Sequence, residues 1–268
     1  MVVRLGQSVT KNFEYTADIF LMLYLALRAG VRDQAQSFRA IYQVVSAQVY
    51  FTGWQALPLI SILALASGVM VILQSSSQLN LLGGTGMIGK LLIAIVVREM
   101  APLMTALVVI ARSGTAVASE IGNMRANREI EALESLGINP LSYIVFPRLV
   151  GGIVSVVCLS IYFVMISVLG GFLLTKLIHG MPFQFYADSL SQAVATEDLG
   201  LFLLKNIFSG VIIFSVCCYQ GLSVKRSPTE VPVVTTQAVV KSIVYVIVFN
   251  LSVSILFYLN QLLMLGVI

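Results

Sequence analysis

Charge is what this sequence has least of. Sixteen Lys and Arg and twelve Asp and Glu make up 10% of 268 residues, against 58% hydrophobic side chains and a mean hydropathy of +0.95. A water-soluble domain carries about 25% charged residues, so that class is excluded and the chain reads as a polytopic membrane protein. The net charge of +4 is modest and its basic residues are scattered, which excludes a nucleic-acid partner. Histidine occurs once, at His179, beside Met181-Pro182 and without a cysteine, serine or carboxylate at telling spacing, so it reads as ordinary loop. The three cysteines, Cys158, Cys217 and Cys218, lie in apolar runs with no histidine or carboxylate at ligand spacing. Small packing residues are expected there, with no disulfide, metal or cofactor. Ser113 and Ser119, near Glu120, lack a base, so nucleophilic catalysis has no constellation. No internal repeat is visible, which argues against an inverted-repeat secondary transporter.

What the chain does have is long apolar segments. Five are legible: about Leu57 to Leu73, ending at a polar loop Gln74 to Gln78; Gly86 to Ala111; Leu149 to Leu174; Leu199 to Leu222; and Ile243 to Ile268. A hydrocarbon core of ~30 Å needs about 20 helical residues, so each is long enough to span. Residues 1–54 are less apolar, and Ile19 to Leu27 is too short to cross. Lys11, Glu14 and Asp18 before it and Arg28 and Arg32 after it do not make a signal peptide. This region reads as helices lying on the cytoplasmic membrane surface. The expected fold is therefore an all-α integral membrane protein, with N-terminal interfacial helices over residues 1–54 and a five-span domain over residues 55–268.

Orientation follows from basic residues in the connections. Arg4, Lys11, Arg28, Arg32, Arg39, Arg112, Arg125, Arg128, Arg148, Lys225, Arg226 and Lys241 fall on one side, and Lys90, Lys176 and Lys205 on the other. The first side is expected to be cytoplasmic, with the N-terminus inside and the C-terminus outside.

Three features within the spans need separate readings. Gly84-Thr-Gly-Met-Ile-Gly89-Lys90 matches G-x-x-x-x-G-K, but Leu91 stands where a phosphate loop places its Mg²⁺-binding Ser or Thr. Its glycines are expected to permit tight packing or a broken helix start, and no ATP site is expected in this chain. Asn250-Leu-Ser252 has the form of a glycosylation sequon but lies in a span, where it carries no such meaning. Arg98 and Glu99 fall near the middle of the second segment, where ionisable groups are costly and face a cavity or a partner. Adjacent helical residues point about 100° apart, so each can bond to a different neighbouring helix. Either a protein group or a lipid phosphate compensates the cation, and the lipid is the expectation here.

The densest charge in the chain lies between Glu120 and Arg148, EIGNMRANREIEALESLGINPLSYIVFPR, with four acidic and three basic residues. It reads as a short amphipathic helix. Asn127 can cap its start, with Glu129 and Glu131 in the first turn. Ile130, Leu133 and Leu136 make an apolar stripe, and Gly137 then Pro140 end the helix. A charged helix with an apolar stripe outside the bilayer wants a partner groove. The run E-I-G-x-M-R-x-x-x-E-I-E-A-L-E-x-L-G-I-N-P, closing at Pro147-Arg148, resembles the signature of the MlaE/YrbE family of ABC-transporter permeases, which commonly has Asp at the place of Glu131. Arg98, Glu99 and Pro102 likewise match the family's R-E-L-G-P run, with Met100-Ala101 replacing Leu-Gly.

The resemblance implies a permease subunit, without catalysis of its own, that moves phospholipid or a similar lipid between membranes. It implies a homodimer, two copies of a separate ATPase, an external Mce-domain lipid-binding protein and the bacterial inner membrane. It makes residues of about 125–137 a cytoplasmic coupling helix. Glu120, Gly122, Met124, Arg125, Glu129, Glu131, Leu133, Glu134, Gly137 and Pro140 would form the ATPase-coupling region. Val71, Leu79, Leu82, Arg98 and Glu99 would line the lipid cavity. Two other classes stay open on the residues alone. An intramembrane enzyme acting on lipid head groups would use Glu99 and His179. An ion-coupled secondary transporter would need a second acidic residue within a span, which the segments above do not contain.

Overall fold

The structure, a computed structural model, describes the backbone of residues 2–82, 87–180, 182–225 and 227–264, and side chains within 14–30, 42–75, 89–178, 182–225 and 227–263. Among the described residues there is no strand. Five helical stretches are long and apolar enough to cross a membrane: Tyr42–Ser75, Gly89–Ala126, Leu141–Ile178, Thr196–Leu222 and Pro228–Leu263. The protein is thus an all-α integral membrane protein with the expected number of spans.

The helices run past the apolar segments read from the sequence. Val2–Thr52 (α1) is one continuous helix rather than several, and a single 3₁₀ turn, Trp54–Ala56, joins it to α2, Leu57–Leu82. The polar stretch Gln74 to Gln78, expected as a loop, belongs to α2, because Ser and Gln leave the backbone ladder intact where no Gly or Pro interrupts it. The second span is built from α3 (Met87–Leu92), α4 (Ala101–Val109) and α5 (Thr115–Ala126), joined by wider π-helical turns over Ile93–Met100 and Ile110–Gly114. A short helix, α6 (Glu129–Ser135), leads through a π turn at Leu141–Val145 into α7 (Phe146–His179). The connection expected between Lys176 and Asp198 contains α8 (Phe183–Ala193), followed by α9 (Thr196–Leu222) and α10 (Val231–Met264).

Packing divides the chain into two compact units. The first comprises Met1–Tyr50, Ile110–Gly152 and Val211–Ser242. Its α5 and α9 approach closely: a Cβ on Gly221 would lie 2.8 Å from that of Ile121. The N-terminal helix joins this unit through polar contacts at the other end of the chain. Tyr219 Oη donates to Asp18 Oδ2 at 3.0 Å, Gln220 Nε2 donates to Tyr15 Oη at 2.9 Å, and the Lys241 ammonium sits 3.8 Å from the Tyr15 ring centre. Cys217 and Cys218 are buried there, as packing residues.

The second unit comprises Phe51–Val109, Ile153–Gly210 and Ile243–Ile268. Lipid tails are as apolar as leucine, so helices in a bilayer adhere through small residues and interhelical hydrogen bonds. Both devices are present. A Cβ on Gly68 would lie 2.1 Å from the Ser167 carbonyl oxygen, so α2 and α7 touch backbone to backbone. Beside that contact Ser67 and Ser167 share a hydrogen bond of 3.1 Å, and Ser61 meets Tyr162 at 2.7 Å. Gly89, the last glycine of the phosphate-loop look-alike, has the packing role expected of it: a Cβ there would stand 2.2 Å from the Ser189 carbonyl oxygen of α8. Gly84 and Gly86 lie outside the described residues. Tyr186 of α8 is buried, and its hydroxyl donates to the Val168 carbonyl at 3.0 Å. Burial pushes that phenol up to about 12, so it remains a donor at any physiological pH.

Candidate functional site

The signature stretch folds as a helix–turn–helix within the first unit. Its entry differs from the capped start expected at Asn127. That residue is the C-cap of α5, its N–H still bonded to the Asn123 carbonyl at 2.9 Å. The chain then turns through Arg128, which takes a left-handed conformation (φ 61°) ahead of α6. Asn127 Nδ2 donates to Glu129 Oε1 at 3.3 Å instead of offering its oxygen to a helical N–H. The exit is as read from the sequence. Gly137 has φ +75°, Ile138 N donates to the Leu133 carbonyl and Gly137 N to the Glu134 carbonyl, both at 3.0 Å. This is the crossed pair that closes a helix through a left-handed glycine.

The stripe divides in two. Ile130 is buried at 2% exposure, anchoring α6, whereas Leu136 is 75% exposed and Ile138 is exposed beside it. Glu129 and Glu134 are exposed, and Glu131, Leu133, Met124, Arg125 and Pro140 half-buried. Two of the sequence-selected residues have partners within the chain. Glu120 Oε1 pairs with Arg148 at 2.7 Å, and the same arginine donates to the Ile144 carbonyl at 3.1 Å. The two ends of the signature are thereby tied together. Gly122 packs on Val224 and Val231.

The second site is a charged network within the second unit. As the angular separation of adjacent residues suggests, Arg98 and Glu99 find different partners. Arg98 Nε forms an ion pair with Asp198 Oδ1 at 2.7 Å, and its guanidinium carbon lies 5.2 Å from the centre of the Phe257 ring. A protein carboxylate therefore compensates the cation for which a lipid phosphate was expected. Asp198 is only 1% exposed and belongs to the first turn of α9. With Glu197 beside it, it is an acidic residue within a span that the shorter segment starting at Leu199 hides. The helix Gly89–Ala126 continues beyond Ala111, so Arg98 lies nearer the N-terminal end of that helix.

Lys205 completes the network. Counted from the sequence as a segment-end cation, it is instead fully buried in α9. It donates to Glu99 Oε2 at 3.0 Å, to Ser254 Oγ at 2.7 Å and to the Arg98 carbonyl at 2.7 Å. That carbonyl needs an outside donor because Pro102, four residues on, has no N–H to give it. The wide π-helical turn over Ile93–Met100 ends at the same place. Ser254 Oγ lies 3.0 and 2.9 Å from the two Glu99 oxygens. Deeper in the unit Ser160 bonds to Asn206, and Asn250 Nδ2 donates to Ser209 Oγ at 3.1 Å.

Glu99 is 39% exposed because it opens onto a cavity of about 530 Å³. The cavity wall is otherwise almost wholly apolar, formed by Leu103 and one face of α10 from Ile247 to Leu262, with Asn250, Ser254 and Tyr258 among its lining residues. Val71 is buried within the packing of the unit. The side chains of Leu79, Leu82 and His179 lie outside the described residues. Sequence reasoning passed over Asp198, Lys205, Asn250 and Ser254. The legible signal was polar residues four apart on one face of an apolar helix, Asn250 with Ser254 and Lys205 with Ser209.

A family model described as "Permease MlaE" matches residues 45–256. Among curated proteins, a probable ABC transporter permease protein of Rickettsia prowazekii is 29% identical, covering 96% of this chain and 99% of its own. The intermembrane phospholipid transport system permease protein MlaE of Haemophilus influenzae is 26% identical, over 88% of this chain and 89% of its own. The chloroplastic protein TRIGALACTOSYLDIACYLGLYCEROL 1 of Arabidopsis thaliana is 26% identical, over 79% and 60% respectively.

Proposed function

This chain belongs to the MlaE permease family, and on that premise we propose that it is the membrane subunit of an ABC transporter moving phospholipid or a similar lipid between membranes. Two copies of the chain form the pathway, and two copies of a separate ATPase supply the energy. An Mce-domain protein receives or delivers lipid at the outer ends of the spans. The membrane is the bacterial inner membrane, with the N-terminus and α6 cytoplasmic and the C-terminus periplasmic. With Lys205 assigned to the interior of a span, only Lys90 and Lys176 remain as basic residues of the outer side, so the charge bias behind this orientation sharpens.

The observation that carries the reading is the exposed end of α6. Leu136, 75% exposed, and Ile138 follow directly on a helix that carries exposed Glu129 and Glu134 and is pinned by buried Ile130. An exposed apolar pair at the end of a charged, anchored helix is the shape of a plug for a groove in a partner protein. Closure of the ATPase pair on ATP would move α6. Ile130 and the Glu120–Arg148 pair would transmit that motion to α5 and α7. The chain itself acts as a transport subunit rather than as a catalyst.

Co-purification with its ATPase subunit tests the assignment. Glu129→Lys combined with Glu131→Lys reverses charge on side chains that hold no internal ion pair among the described residues. The expected result is loss of the ATPase from the purified complex while the melting temperature in detergent stays near that of the parent. Retention of the ATPase at parental levels would overturn the coupling role.

A further inference from the structure

Of the two cations near the cavity, Lys205 is fully spent on protein and Arg98 is paired away from the lining. Lys205 has three N–H bonds to give and gives them to the Arg98 carbonyl, Glu99 and Ser254. Arg98 is held by Asp198 and Phe257 and is not among the cavity-lining residues. The one charged group the lining presents is an acceptor, the Glu99 carboxylate, with the Tyr258 hydroxyl further along the wall. A carboxylate has about four lone-pair sites, and only Lys205 and the single proton of Ser254 compete for those of Glu99. Asn250, which lines the same cavity and is 4% exposed, has an acceptor oxygen that no donor among the described residues reaches. Its amide orientation is fixed, because Nδ2 must face the Val246 carbonyl 2.9 Å away.

We infer that this cavity selects an apolar ligand whose head group carries hydrogen-bond donors, an ammonium or a hydroxyl, with Glu99 as the specificity-determining acceptor. A head group offering only phosphate oxygens would set acceptor against acceptor in a low-dielectric wall. A quaternary ammonium has charge but no N–H to give. The network around Glu99, two cations with two carboxylates, is neutral as a whole, so the discrimination rests on hydrogen bonding rather than on net charge. This inference rests on the proposal that the cargo is a lipid.

Mass spectrometry of lipids retained by the full chain separates the two. The chain is extracted into nanodiscs holding equal parts of phosphatidate and of phosphatidyl-ethanolamine, -glycerol and -choline with identical acyl chains, then delipidated mildly. Ethanolamine or glycerol head groups should be enriched about tenfold over choline and phosphatidate, the factor expected of one charge-assisted hydrogen bond. Enrichment of ethanolamine alone identifies the donor as an ammonium, and of glycerol alone as a hydroxyl. Glu99→Leu with Lys205→Met removes both charges together, avoiding a stranded cation, and should abolish the enrichment. Retained lipid in the proportions of the mixture, or enrichment that survives the double variant, overturns the inference. Absence of any retained phospholipid overturns the lipid reading itself.

Discussion

Arg98 and Glu99 are adjacent in the chain, yet one is closed off by a carboxylate and the other opens onto the cavity. That division follows from helix geometry and from two partners on α9, Asp198 and Lys205, placed seven residues apart and so on one face. Asp198→Ala would leave the Arg98 guanidinium, 15% exposed, without its counter-charge. Breaking a buried pair from one side costs about 3–5 kcal/mol, whereas replacing both members by apolar residues is often neutral. The expected outcome is a lowered melting temperature in detergent for Asp198→Ala, with or without added phospholipid, and recovery in Arg98→Leu with Asp198→Leu. A single variant as stable as the parent would remove Arg98 from the scaffold and return it to the ligand. None of these pairings is visible in the sequence. Ion pairs between spans about a hundred residues apart leave no periodic trace, and Asp198 hides at the edge of an apolar run because it is the first turn of a helix.

At the scale of elements, the helix ends were legible where backbone conformation demands a residue type, and not elsewhere. Gly137 marked the end of α6 because only glycine enters the left-handed region without strain. The start was misread because the run Asn127–Arg128 conceals a helix end inside a polar stretch. Arg128 adopts a conformation that no sequence preference announces. The π turns were equally silent, although Pro102 at the edge of one of them is a readable cause. The contact of α3 with α8 offers a clean test of small-residue packing. A methyl on Gly89 would overlap the Ser189 carbonyl, and overpacking of this kind costs about 1–3 kcal/mol. Gly89→Ala should therefore raise proteolysis within residues 183–193 in detergent, while ATPase co-purification through α6 continues. Unchanged protection of α8 would mean that the two helices are not in the contact described.

For the whole molecule, hydropathy alone gave the number of spans, since length and apolarity are what a bilayer reads. Their ends lay further out than the apolar cores because helices continue through polar residues into the interface, as α2 does past Gln74 and α7 to His179. The proposed topology, with five spans, sets the two termini on opposite sides. A phosphatase active only in the periplasm should be active when fused after Ile268 and inactive when fused after Asn127. The reverse pattern at either position would invert or break the topology. Only 17% of the most apolar window of the last span, Pro228–Leu263, is buried within the chain, which leaves a long apolar face for lipid or for a second copy.

The claim on which all of this converges is that a lipid moves through the chain because an ATPase pushes on α6. It is tested most directly by reconstituting the chain with its ATPase in proteoliposomes and following transfer of a fluorescent phospholipid to an acceptor. The account predicts transfer that starts on addition of ATP and falls to background in Glu129→Lys with Glu131→Lys, with both proteins still folded. Transfer at an equal rate without ATP, or undiminished in the double variant, would contradict it.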